Sequence, residues 1–231
     1  MTYKGIVEGV FLQRLNRFVA EVVVEDRIEL VHVKNTGRCK ELFIKGTKVF
    51  LEKSNNPNRK TKYSLIGLYK GAHLINIDSQ VPNQVVFESL LAGEVQEIQD
   101  VTYAKREVTY GKSRFDIYYE TASAKGFIEV KGVTLEEDGL AKFPDAPTER
   151  GTKHIKELTE GLKEGYINFV CFLIQMDYVT DFRPHHERDM KLAEALYQGL
   201  DQGLGLLMYN CHIGEDSINL KEPCQLLPKA F

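Results

Sequence analysis

Residues 113–131 read Ser113-Arg114-Phe115-Asp116-Ile117-Tyr118-Tyr119-Glu120-Thr121-Ala122-Ser123-Ala124-Lys125-Gly126-Phe127-Ile128-Glu129-Val130-Lys131. The first part alternates as a strand does, which predicts Phe115 and Ile117 on one face and Arg114 with Asp116 on the other. The last part does the same, with Ile128 and Val130 inside and Glu129 aligned with Lys131. A turn near Ala124 to Gly126 joins the two strands, so Asp116 and Glu129 come within reach of one shared ion.

Two carboxylates on neighbouring strands suit a hard cation such as Mg²⁺ (or Mn²⁺), which takes oxygen ligands and keeps several waters. The carbonyl of Val130 is a natural third ligand. Lys131 can hold an attacking water or stabilise charge on a phosphate, while the ion supplies Lewis acidity. The spacing alone is weak, since an acidic-x-Lys triplet arises by chance roughly three times in a chain of this composition. A cross-strand ion pair among Asp116, Glu129, Arg114 and Lys131 is the competing reading. Glu88, on the helix before these strands, can turn a fourth carboxylate toward the ion, or be a solvated helix residue.

Around this hairpin the chain alternates helix and strand. Pro82-Asn83 opens a helix that continues through Val85 to Ala92. Val101 to Tyr110 reads as a strand before the hairpin. Beyond it, Thr148 to Lys163 reads as a helix with Ile155, Leu158 and Leu162 on one side. Tyr166 to Ile174 reads as a buried strand, Glu187 to Tyr197 as a helix and Leu204 to Cys211 as a closing strand. This order is that of an α/β domain with a mixed central sheet. Thr148 is a fair N-cap, and Arg150, Lys153 and His154 follow on the first turns, where a phosphate can be met by side chains and free N–H groups. Plain helix-surface charge explains the same residues equally well.

Residues 1–80 have a different texture. Tyr3–Leu12, Phe18–Val24, Ile28–Val33, Lys48–Lys53, Tyr63–Tyr69 and His73–Ile77 read as short strands, interrupted by a helix-like piece, Cys39–Ile44. That pattern is an OB-like barrel, a fold often used on nucleic acids, and it places a division between residues 1–80 and 81–231. The barrel half carries 14 Lys/Arg against 8 Asp/Glu, the remainder 16 against 25. Arg38, Lys40, Arg59, Lys60 and Lys62 are its densest basic points, with Phe43, Phe50 and Tyr63 interleaved. Cations and aromatics together suit backbone attraction and base stacking, although a solvated lysine face has the same composition.

The four cysteines, Cys39, Cys171, Cys211 and Cys224, form no C-x-x-C pair and no disulfide framework, so a reducing cytoplasm is expected. No apolar stretch approaches the ~18 residues of a membrane helix.

Several longer motifs resemble one family. Asn35-Thr36-Gly37-Arg38, Asn58-Arg59-Lys60-Thr61-x-Tyr63, Pro82-Asn83, Gly111-Lys112-Ser113-Arg114-Phe115-Asp116, Ile128-Glu129-Val130-Lys131-x-Val133-Thr134-Leu135 and Phe143-Pro144-Asp145-Ala146 look like the sugar fermentation stimulation (SfsA) family. The resemblance spans nearly the whole chain. It implies a DNA-binding protein with an N-terminal OB-like barrel and a C-terminal domain similar to PD-(D/E)XK nucleases. Asp116 is then the lone acidic residue, Glu129-x-Lys131 the (D/E)-x-K element, and Glu88 the less secure helix acid. Cys39 departs from the methionine expected there. The sequence thus predicts a nucleic-acid partner, DNA ahead of RNA, no membrane, and metal-dependent phosphodiester hydrolysis. Arg114, Arg150 and Lys153 would contact phosphate. The alternative is a non-catalytic DNA-binding regulator that keeps the nuclease fold.

Overall fold

The computed structural model describes residues 1–35, Gly37 and residues 39–228. Its first part is built from β1 (Ile6–Asn16), β2 (Val19–Val24), β3 (Arg27–Val33), β4 (Lys48–Lys53), β5 (Tyr63–Lys70) and β6 (His73–Asn76). β1 is long enough to serve two neighbours. It pairs antiparallel with β2 through its second half and with β4 through its first half, with register shifts after Phe11 and Arg14. Such irregularities bend a strand and sharpen its twist. β4 pairs with β5, and a parallel β3–β5 ladder, Val31 to Tyr63 through Val33 to Leu65, closes the ring. The result is the expected five-stranded OB barrel, filled by Val22, Val31, Val49 and Leu65.

The helix expected at Cys39–Ile44 is a single turn. Leu42 and Phe43 both donate their N–H to the Cys39 carbonyl, and the chain then leaves the helical path. Cys39 has φ +41°, a left-handed value that right-handed helices do not propagate through. Arg14 secures this loop from β1: it donates to the carbonyls of Gly37 (2.7 Å) and Asn35 (2.6 Å) and lies over the Phe43 ring.

The second part is organised on a six-stranded mixed sheet, made by β7 (Tyr103–Tyr110), β8 (Ser113–Glu120), β9 (Lys125–Val133), β12 (Phe169–Ile174), β14 (Gly205–Ile213) and β15 (Ile218–Pro223). The order is β15-β14-β12-β9-β8-β7, with β9, β12 and β14 mutually parallel. Parallel strands need covering on both faces. On one face α1 (Pro82–Leu91) seats Val85, Val86 and Leu90 with Ile117, Ile128, Val130 and Leu173. On the other, α2 (Glu149–Gly161) and α3 (Met190–Asp201) seat Ile155, Leu158, Leu192 and Leu196 with Phe127, Val170 and Phe172.

α3 starts three residues later than its sequence suggests, because the Asp189 carboxylate caps it at the Leu192 N–H (3.0 Å). A second, four-stranded sheet has no counterpart in the sequence reading: β10 (Leu135–Glu137), β11 (Leu140–Phe143), β13 (Asp181–Pro184) and β16 (Gln225–Leu226). Strands of two to four residues carry too short a pattern to read.

Polar contacts join the barrel to the rest. Gln175 donates to the Asn76 side chain (2.9 Å) and the Asp78 carbonyl (3.0 Å), and the Asp78 carboxylate is held within the barrel half by Lys34 (2.9 Å). Lys70 of the barrel pairs with Glu136. At the start of the chain Thr2 bridges Ser217, Tyr3 N–H donates to Asp216, and Ile218 N–H donates to Met1. All four cysteines are buried and unpaired, and burial pushes each thiol up. Among the described residues no helix is long and apolar enough to cross a membrane.

Two glycines mark close approaches to the sheet. A Cβ on Gly126 would lie 1.8 Å from the Ile167 carbonyl oxygen, and one on Gly132 would meet Pro82 at 2.8 Å. Gly126→Ala is therefore expected to destabilise the fold by about 3 kcal/mol or more, the scale of severe overpacking against backbone. Urea unfolding monitored by circular dichroism checks this.

Candidate active site

Asp116 sits where the sheet comes apart. Its β7 neighbours are paired, Arg106 with Ile117 and Val108 with Phe115, but Glu107 opposite Asp116 takes φ +58° and is passed over. On the other side the β8–β9 ladder begins only at Ile117–Ile128. The strict alternation expected of this strand is broken at the same place. Phe115 packs with Phe127 and His154 beneath α2, whereas Ile117 belongs to the core beneath α1. The Asp116 carboxylate fills the gap: Oδ2 accepts the Val130 N–H (2.8 Å) and Oδ1 accepts the Asn83 amide (2.6 Å) from the first turn of α1. The Gly132–Pro82 approach is what brings that turn close.

In a strand the N–H and C=O of one residue point toward the same neighbour. The Val130 carbonyl thus faces the Asp116 side of β9. Glu129 lies one residue back on the opposite face, only 3% exposed. Its Oε1 accepts both the Lys131 ammonium and His154 Nδ1, and its Oε2 has no partner within the protein. Arg150 Nε donates to the other His154 nitrogen at 3.4 Å, which assigns the Nδ1 proton to the Glu129 bond.

The two carboxyls are tuned in opposite directions. Burial, with the nearby Glu129 charge, pushes the Asp116 carboxyl up to about 6, against the pull of Val130 N–H, Lys131 and Asn83. Burial also acts to raise Glu129, but the His154 hydrogen bond and the charge and hydrogen bond of Lys131 outweigh it and hold the group below its ordinary value. Near neutral pH the site therefore carries an ionised Glu129 next to a carboxyl that ionises reluctantly.

The trio named from sequence, Asp116, Glu129 and Lys131, is brought together. Arg114, Arg150 and Lys153 gather around a neighbouring cleft at the α2 N-terminus. Glu88 is not part of the set. It sits five residues after Asn83, about 140° further around the helix, and its exposed carboxylate meets the Met1 ammonium (3.1 Å) and the Gln84 amide. Asn83 takes the helix position expected of Glu88. Sequence reasoning missed Asn83 and grouped His154 with Arg150 and Lys153 as a phosphate contact, whereas His154 lies on the buried stripe of α2 with Ile155 and Leu158 and bonds Glu129.

The barrel's basic points are less concerted than expected. Lys60 and Lys62 reach solvent, Arg59 does so beside them, and Arg38 lies outside the described residues. Lys40 lines a cleft of about 590 Å³ that is rich in carboxylates, including Glu41, Glu136 and Asp145. The interleaved aromatics do not form a stacking platform. Phe50 and Tyr63 are core residues, and Phe43 is covered by Arg14. Lys62 lies over the edge of the buried Tyr63 ring at 4.8 Å.

Residues 12–77 match the family described as SfsA N-terminal OB domain, and residues 80–217 match the sugar fermentation stimulation protein RE domain. The chain belongs to the sugar fermentation stimulation protein family. It is 52% identical over 225 residues to the sugar fermentation stimulation protein homolog of Alkaliphilus oremlandii, covering 95% of this chain and 96% of that one. The Clostridium beijerinckii homolog is 50% identical over 222 residues, covering 96% and 97%. Among solved structures, Pyrococcus furiosus SfsA in complex with Ca²⁺ superposes with a TM-score of 0.89 at 28% identity, covering 99% of this chain and 98% of that one.

Two outcomes are expected from this geometry. In metal-free buffer Asp116 favours the protonated state, so its contribution to stability is full below its ordinary pKa of 3.8 and is lost as pH rises through about 6. Asp116→Asn should therefore be more stable than the parent by about 2 kcal/mol at pH 8, allowing for partial solvent screening, with the difference vanishing near pH 4. Chemical denaturation at both pH values measures it. Glu88→Gln should change the affinity for Mn²⁺, read by titration calorimetry, by less than about twofold, as expected of a solvated surface group.

Proposed function

We propose that this protein binds nucleic acid, DNA ahead of RNA, and hydrolyses phosphodiester bonds with Mg²⁺ or Mn²⁺. The observation that carries the reading is Glu129: a buried carboxylate with one oxygen left without a protein partner, beside a second carboxyl where the strands part. An orphaned buried oxygen of this kind is costly unless something meets it. Among the described residues no group of three His, Cys, Asp or Glu side chains gathers for a metal. The fitting donor set is instead Asp116, Glu129 and the Val130 carbonyl, all oxygen, as Mg²⁺ and its hard relatives prefer. The Pyrococcus furiosus protein is in complex with Ca²⁺, a cation of that class.

When bound, such an ion polarises a phosphoryl oxygen and makes a coordinated water more acidic. The chain's own residues do the rest. Lys131, already anchored on Glu129, is placed to hold the attacking water and to balance charge on the phosphate. Asn83 and the Val130 N–H keep Asp116 in the gap, and His154 fixes the rotamer of Glu129. Arg114, Arg150 and Lys153 offer charge to the phosphates on either side. Water adds at phosphorus, the bond to the sugar oxygen breaks, and that oxygen takes up a proton. In this reading residues 1–80 grip the strand through Lys60 and Lys62, and residues 81–231 cut it.

One observation favours a second reading. Glu129 Oε1 is already shared by Lys131 and His154, a saturation that suits a regulator which binds DNA without cutting. Incubation with labelled single- and double-stranded DNA and RNA in Mg²⁺, Mn²⁺ or EDTA separates the two. Cleavage should require the divalent ion and fall by about 100-fold or more in Glu129→Ala and Lys131→Ala. Cleavage that survives both substitutions refutes the site. Binding without cleavage under every condition leaves the regulator.

A further inference from the structure

The turn between β7 and β8 and the first turns of α2 enclose a cleft of about 400 Å³, lined by Lys112, Ser113, Arg114, Arg150, Lys153 and His154, together with Glu149. We propose that this cleft is a binding site for a phosphomonoester, the terminal phosphate of a nucleic-acid strand. The proposal deepens the hydrolytic reading, on which it rests, by naming which part of the substrate is held beside the site.

Charge is the first argument. Four cations and one carboxylate line the cleft, with Glu157 3.5 Å from Lys153 on the same helix, and the lining stays net basic. A terminal phosphate carries about −1.5 to −2 at neutral pH, against one charge for an internal diester. The Arg114 side chain is 62% exposed, and its guanidinium sits 3.6 Å from the Glu107 carboxylate, a loose pairing that leaves donors available. Lys153 bonds the Lys112 carbonyl (3.2 Å), which draws the β7–β8 turn and the helix together around the space.

Ser113 is the second, independent argument. It is 6% exposed and its hydroxyl has no hydrogen-bond partner in the protein, yet it belongs to the cleft wall. A buried hydroxyl left unpaired costs about 1–3 kcal/mol, and an acceptor oxygen arriving in the cleft receives its hydrogen. The setting adds to this. α2 is a 13-residue helix, and its N-terminal dipole and unbonded N–H groups favour an anion. Thr148 caps through its hydroxyl on the Gly151 N–H (3.0 Å), so the cap adds no charge of its own.

Position gives the cleft its meaning. His154 lines it and also bonds Glu129. An occupant therefore lies one imidazole away from the carboxylate pair, and a strand anchored by its end offers a bond close to that end.

The test is fluorescence anisotropy with a dye-labelled single strand bearing a 5′-phosphate, a 3′-phosphate or hydroxyls at both ends, all in EDTA. One phosphorylated end should bind about tenfold tighter than the hydroxyl-ended strand. That preference should disappear in Ser113→Ala and in Arg114→Gln, with melting curves confirming that each variant folds. Equal binding of the three strands overturns the proposal, as does a preference that persists in both variants. End preference without cleavage in Mg²⁺ refutes the hydrolytic reading alone. Cleavage without end preference refutes this one alone.

Discussion

The hydrogen bond from the Val130 N–H to Asp116 bridges the point where β8 and β9 part company, and the arrangement around it depends on that bridge. A sheet whose ladder lapses leaves main-chain groups without partners, and buried main-chain groups are rarely left so. A side-chain carboxylate takes the place of a strand neighbour here. In doing so it is fixed at the edge of the gap, with Asn83 of α1 holding its other oxygen. Its position follows from the sheet's own accounting as much as from the flanking helices. The close Gly132–Pro82 contact that seats the α1 turn is part of the same constraint.

Around this bridge the electrostatics divide the labour between two otherwise similar groups. Glu129 lies deeper than Asp116, yet it is the one that stays charged, because His154 and Lys131 both reach it. Asp116 accepts only from dipolar donors and feels the repulsion of Glu129, so burial dominates. One carboxylate bonded by an ammonium and one bonded only by neutral donors is a common way of separating roles in a site with two acids. Here the separation comes from which helix covers each residue. α2 brings a histidine, and α1 brings an amide.

Much of this was legible in the sequence. The barrel strands, the three helices and the trio on β8 and β9 follow from alternation, punctuation and motif order. The rest was hidden for physical reasons. Strict alternation places Phe115 with Ile117, but Glu107 across the ladder adopts a left-handed backbone and the strand turns over between them. Glu88 suits the ion by being acidic and close in sequence, yet helix geometry turns it toward Met1 and presents Asn83 instead. The basic run with interleaved aromatics suggests a stacking surface. In the barrel those rings are consumed by the core, which composition cannot distinguish from exposure. β10, β11, β13 and β16 are too short for any periodicity to register.

The seam at the start of the chain bears on how the molecule is made. Thr2 bridges Ser217 and Tyr3 bonds Asp216, so residues far apart along the polypeptide form one patch of structure. On the ribosome the first of these segments emerges long before its partner exists. The barrel strands can pair among themselves once residues 6–76 have emerged, since every partner in their ladders lies within that stretch. The leading residues must stay free until β15 is complete. Closure of this seam is thus a step of high contact order, made only once β15 has emerged. Until then residues 1–3 lack the strand they pair with.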